Sequence, residues 1–125
     1  MVTEVGIIGK IGLNSAGVGV CFNAIRTTSL DACRMPVHLG LRTVLETTSA
    51  KEVVAELEVA GLAASAHMLV ADASGEATGL EFTSSTFAKL KKNDLGVIVH
   101  SNHMLLEHEG LNVPLPIKDS PMRFE

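Results

Sequence analysis

Residues 97–103 read VIVHSNH, an apolar run of strand character that ends in four adjacent polar side chains, His100, Ser101, Asn102 and His103. Glu107, His108 and Glu109 follow within six residues. Two chemistries suit these residue types. His100, His103 and His108 with the two glutamates are metal-ligand types, but the spacing H-x-x-H-x-x-x-x-H is not that of a zinc-binding HExxH helix. Neighbouring side chains at a strand end also diverge, so no metal and no cofactor is expected. Asn102 suits the second chemistry. A primary amide at the end of a buried strand donates an N–H without carrying charge, as stabilisation of a developing oxyanion in acyl transfer requires. On spacing alone, Asn102 fits an ordinary β-turn asparagine better.

The two cysteines offer a nucleophile. Alternation along residues 18–23 puts Cys21 within the sheet, where a free cysteine behaves as a small hydrophobe. Cys33, beside Arg34 in the polar loop before Pro36, is the more reactive candidate. Neither belongs to a CxxC pair, a zinc-finger spacing or a disulfide framework, and both are read as inert thiols that do not bridge.

The elements that must position these groups follow from periodicity. Residues 1–25 read as a β-hairpin, EVGIIGKIGLN and VGVCFNAI joined at Asn14-Ser15-Ala16-Gly17. Gly6, Gly9, Gly12, Gly17 and Gly19 lie within and between these strands, whereas a phosphate loop needs glycines in a strand-to-helix turn. They are read as sites of close backbone packing. Residues 36–61 read as an αα-hairpin. Pro36 opens its first helix, with Val37, Leu41, Val44 and Leu45 on one face. Ser49 to Glu52 form a capping box for the second helix, whose stripe is Val53, Val54, Leu57 and Ala60 and whose stop is Gly61. Residues 66–101 (AHMLVADA, ATGLEFTS, TFAKLKK, LGVIVHSN) read as a four-stranded antiparallel meander, and 102–125 as a tail. The chain is thus a single α+β layered domain, and a partial one, since a strand reached by residue 4 and a tail without a terminating element suggest a piece of something longer.

Composition narrows the partners. Ten Lys plus Arg against fourteen Asp plus Glu give a net charge of −4, and the one dense basic run, KLKK at 89–92, sits beside a turn; no nucleic-acid partner is expected. No apolar stretch is long enough to span a bilayer, and the start has no basic and apolar leader pattern, so no membrane association is expected. Two unpaired cysteines suit a reducing, intracellular compartment.

Taken in order, VGIIGKIGLNSAGVGV, FNA, the Pro-x-His-x-x-Leu-Arg helix with LETTS, AASAHMLV, GLEFT and VHSNHMLLEH resemble the isopenicillin N acyltransferase family, the acyl-coenzyme A:6-aminopenicillanic acid acyltransferases and their relatives. The resemblance runs from Glu4 to Arg123. It implies the αββα sandwich of N-terminal nucleophile (Ntn) hydrolases, two stacked antiparallel sheets between helix layers. It also implies a precursor that cleaves itself before a cysteine, whose freed α-amino group is the base for its own thiol. That thiol takes an acyl group from an acyl-coenzyme A or an amide and passes it to an amine such as 6-aminopenicillanic acid, or to water. Asn102 matches the asparagine that supplies the oxyanion donor.

The departures from the family pattern are equally informative. The family's nucleophile and a functional aspartate precede the matched region, and neither Cys21 nor Cys33 occupies the nucleophile's place. Asp119-Ser120-x-x-Arg123 is retained, whereas Ile117-Lys118 resemble an insertion. The expectation is an internal piece of an acyltransferase or amide hydrolase, inactive by itself, contributing Asn102 and scaffold to a site completed by a nucleophile-bearing segment or subunit, in the cytoplasm or peroxisome. The alternative is a non-catalytic remnant or association domain of the same fold, forming a homo-oligomer through its open apolar face.

Overall fold

Residues 5–111 and 120–123 are described in the computed structural model of the chain. Five strands, β1 (Gly12–Leu13), β2 (Gly19–Ala24), β3 (Ala66–Ala71), β4 (Ala77–Phe82) and β5 (Phe87–Leu90), form one antiparallel sheet in the order β1-β2-β3-β4-β5. Helices α1 (Val37–Val44) and α2 (Ala50–Ala60) are inserted between β2 and β3. The hairpin and the meander are therefore not separate units. β2 pairs with β3 along its whole length, from Gly19↔Ala71 to Ala24↔Ala66.

The two-residue period of strands divides the sheet into two unlike faces. Val20, Phe22, Met68, Val70, Leu80 and Phe82 meet Leu41 and Val44 of α1 and Val53 and Leu57 of α2 in a single core. The predicted helix stripes are the ones that turn inward: Leu41, Val44, Val53 and Leu57 are fully buried, and Val37, Leu45 and Val54 pack partly against them. Burying each such side chain contributes roughly 1.5–3 kcal/mol, which outweighs the modest helix propensity of valine. The register puts Cys21, Asn23, His67, Leu69, Gly79 and Glu81 on the opposite face.

Local chemistry sets the ends of these elements. The Ser49 hydroxyl accepts from Glu52 N at 3.2 Å, and the Glu52 carboxylate returns to Thr48 N at 2.7 Å, one residue earlier than in an ideal capping box. Gly61 ends α2 at φ 62°. Pro36 is the residue before α1 rather than its first helical residue, and its carbonyl accepts from Leu39 N and Gly40 N. In the β1–β2 turn Gly17 takes φ 84°. Asn14 acts there through its side chain, whose oxygen accepts from Ala16 N and Val18 N while its amide donates to the carbonyls of Leu45 and Thr47 just after α1.

Three sequence expectations differ from what is observed. The first strand shrinks to Gly12–Leu13; the chain before it touches α1 at Gly9, where a Cβ would lie 2.5 Å from His38 O, and the part of this strand expected at residues 1–4 lies outside the described residues. The meander contributes three strands, not four. Residues 97–101 do not extend the sheet edge beside β5 but cross its helix-free face, with Ile98 above Gly79 and His100 on His67. Polar groups on that face draw the segment inward. Cys21 is exposed rather than buried, because it alternates with Val20 and Phe22 onto the helix-free face. Ile117, Lys118 and Asp119 of the expected tail lie outside the described residues. Among the described residues, no helix is long and apolar enough to cross a membrane.

Candidate functional site

The site is built on the helix-free face at the β4 position Glu81. The sequence gives little sign of it: Glu81 sits between Leu80 and Phe82, and simple alternation would send it to water. Instead its side chain is fully buried. Oε1 accepts from His100 Nε2 at 2.6 Å and Leu105 N at 2.7 Å; Oε2 accepts from Leu106 N at 2.9 Å and His108 Nε2 at 3.1 Å. Four donors on two oxygens fill the lone pairs of the carboxylate. Burial pushes its pKa up, but the bonds from His100, Leu105, Leu106 and His108 outweigh that and hold it down at about 2.

His100 is fixed through both ring nitrogens, Nε2 on Glu81 and Nδ1 at 2.6 Å from Ser101 O. A carboxylate and a carbonyl are both acceptors, so each ring nitrogen faces an oxygen lone pair. His108 reaches Glu81 with Nε2 and Thr86 Oγ1 with Nδ1, the latter at 2.7 Å. The rings of His100 and His108 are 2% and 1% exposed, so neither meets water. Among the described residues no group of three His, Cys, Asp or Glu is arranged to hold a metal ion.

Beneath His100 lies the fully buried His67, whose Nδ1 is 3.1 Å from Asn23 Oδ1. With Nδ1 donating, Nε2 holds a lone pair, and it has no hydrogen-bond partner among the described residues. Burial first, and then the charge of His100, depress the His67 pKa to about 3 against a smaller opposing pull from Glu81. His67 is therefore neutral.

Asn102 follows this buried cluster directly. Its backbone N–H donates to Ser120 Oγ at 2.7 Å, its Nδ2 donates to Ala24 O at 2.9 Å, and its Oδ1 accepts from Arg123 Nη2 at 3.1 Å. These partners force the amide orientation, since a backbone carbonyl only accepts and a guanidinium only donates. One of the two Nδ2 hydrogens is used by Ala24; the other has no partner among the described residues. The fully buried Ser120 hydroxyl also meets Ser101 Oγ at 3.0 Å and His103 Nδ1 at 2.9 Å. Asn102 thus sits at the junction of β2, the strand-end segment and residues 120–123, held as a neutral donor.

The cysteines are apart from this cluster. Cys21 lies mid-strand in β2 and Cys33 in the loop before α1, where its N–H donates to Asp31 Oδ1 at 2.9 Å; both are exposed free thiols. The sequence reading reached Asn102 and the histidines but missed Glu81, His67 and the role of Ser120. A lone carboxylate inside an apolar strand, GLEF, was the available signal.

Residues 2–125 match the family described as acyl-coenzyme A:6-aminopenicillanic acid acyl-transferase. Over 121 residues the chain is 46% identical to the acyl-coenzyme A:6-aminopenicillanic-acid-acyltransferase 40 kDa form of Emericella nidulans. That match takes in 93% of this chain and 33% of the relative, so the chain spans about a third of the curated relative's length.

Proposed function

Since the chain belongs to the acyl-coenzyme A:6-aminopenicillanic acid acyl-transferase family, we propose that it is one part of an acyltransferase or amide hydrolase of the Ntn type, in which Asn102 is the oxyanion donor. What supports this reading most directly is the fixed amide of Asn102, with Oδ1 on Arg123, one N–H on Ala24 O and one N–H without a partner among the described residues. A donor that is already oriented loses little on meeting the charge that develops in a transition state. Being neutral, it neither repels the incoming acyl donor nor titrates.

In this reading the nucleophile is a cysteine outside these 125 residues. The α-nitrogens of Cys21 and Cys33 are peptide nitrogens and cannot act as the base of an N-terminal nucleophile. The cysteine's α-amino group takes the thiol proton, and the sulfur adds to the carbonyl of an acyl-coenzyme A. The carbonyl oxygen becomes an oxyanion, toward which Asn102 donates. Collapse expels the coenzyme A thiolate, which regains the proton, and leaves an acyl-enzyme thioester. An amine such as 6-aminopenicillanic acid, or water, then adds to that carbonyl while the α-amino group takes its proton, and the second oxyanion at the same donor collapses to expel the cysteine thiolate, to which that proton passes. The helix-free sheet face is where the second sheet of an αββα sandwich would stack.

The test is acyl transfer by the whole protein that carries this segment, from an acyl-coenzyme A to 6-aminopenicillanic acid. Asn102→Ala should lower kcat by about 10²–10³, with KM little changed. Thermal melting serves as the control for folding. A variant that melts like the parent and keeps parental turnover would overturn the oxyanion assignment.

A further inference from the structure

We propose that Glu81 is a positioning residue for Asn102: one buried carboxylate grips the chain on both sides of the Asn102 turn and fixes where its amide sits. The proposal rests on the oxyanion reading of Asn102.

Four contacts carry it. His100, two residues before Asn102, and Leu105, Leu106 and His108, three to six residues after it, all donate to the two oxygens of Glu81. The segment from 100 to 108 is not held by strand pairing, so this carboxylate substitutes for the ladder that would otherwise fix its path. The anchor itself is rigid. β4 is paired on both edges, with β3 and with β5, and a side chain on an interior strand moves less than one on a loop. His67 supplies the floor on which His100 lies, and it reaches that place because residue 79 is glycine: a Cβ there would be 2.7 Å from His67 Nε2.

A carboxylate is the group this geometry needs. All four partners donate, and only a deprotonated acid presents two oxygens with no hydrogen of its own. A glutamine at 81 would keep the volume but turn an NH2 toward two of the donors. Glu81 is fully buried and its oxygens are filled by protein donors, so its effect on reaction passes through the turn and not through contact with substrate.

The experiment uses the whole protein, with active sites counted by stoichiometric alkylation of the nucleophile so that kcat is expressed per intact site. Glu81→Gln should lower kcat about tenfold to a hundredfold at nearly unchanged KM, the scale expected when a reacting group is displaced by about an ångström. Combined with Asn102→Ala, it should cost nothing further, because both changes remove the same donor. His108→Phe, which keeps a ring but removes one of the four donors, is the milder variant if Glu81→Gln yields no folded protein, and its loss should be smaller and equally masked by Asn102→Ala. Losses that multiply with that of Asn102→Ala, or a lowered Tm with parental kcat per site, would overturn the positioning role. Parental turnover in Asn102→Ala alone would instead strike the oxyanion reading, and the two failures are therefore distinct.

Discussion

The rings of His67 and His100 lie face to face, with centroids 3.5 Å apart and planes within 2° of parallel. Two neutral rings avoid this sandwich in favour of offset or edge-on contacts, because like quadrupoles repel. The stack is imposed from outside the pair: Glu81 and the Ser101 carbonyl hold His100 by its two nitrogens, and burial keeps His67 neutral. The stack, the ion pair and the desolvated imidazole are one electrostatic unit on the helix-free face.

This unit makes the fold sensitive to acid. The unfolded chain protonates His67 near its ordinary 6.5, whereas the folded chain resists until about 3; for Glu81 the corresponding values are 4.5 and about 2. In both windows the unfolded state binds more protons, so stability falls as pH falls, beginning below about pH 6.5 and steepening below about pH 4.5. Melting temperature measured across that range should decline in the parent, and His67→Gln should remove the upper part of the decline. A parental Tm that stays flat between about pH 6.5 and about pH 4.5 would show that His67 is not desolvated as described.

Gly79→Ala should destabilise through space rather than backbone strain. The added methyl would sit 2.7 Å from His67 Nε2 and 3.1 Å from Leu90 Cβ, an overpacking expected to cost roughly 1–3 kcal/mol. Chemical denaturation of the single and double variants checks the cause. In a His67→Ala background the penalty should shrink, and an unchanged penalty would mean that the clash lies elsewhere.

Ser49→Ala should cost about 1 kcal/mol, since it removes the acceptor for Glu52 N at the start of α2. Ser49→Asp should recover most of that loss in urea unfolding, because aspartate caps equally well. If Ser49→Ala unfolds at the parent's urea midpoint, the contact of Asp72 with Ala50 N is sufficient to hold the helix start.

Both thiols should label in the folded chain without a prior denaturation step, and no disulfide should form between them. Cys21 and Cys33 are exposed and free. Intact mass under non-reducing conditions checks this, with two alkylations per chain expected and no loss of two protons. A mass lower by two protons that reductant restores would contradict it.

Much of the layer pattern was legible because it rests on local chemistry. The stripe Leu41, Val44, Val53 and Leu57, the Ser49 cap, the Gly61 stop and the turns before β2 and β4 are each set by residues close together in the chain. The order of the motifs from Glu4 to Arg123 carried the family resemblance in the same way, and residues 2–125 match that family. Periodicity specifies which side of an element is apolar, and short-range hydrogen bonding specifies where it ends.

What periodicity could not specify was where the polar face goes. VIVH has the composition of a strand, yet its backbone crosses the sheet because His100 meets Glu81 and His67 there, 19 and 33 positions earlier in the chain. Alternation put Cys21 in a sheet but could not tell which face would be covered by helices. Glu81 looked like a solvated strand residue until four donors from residues 100–108 closed over it. A buried charge is stable only where its partners converge, and convergence of distant residues is a property of the tertiary fold alone.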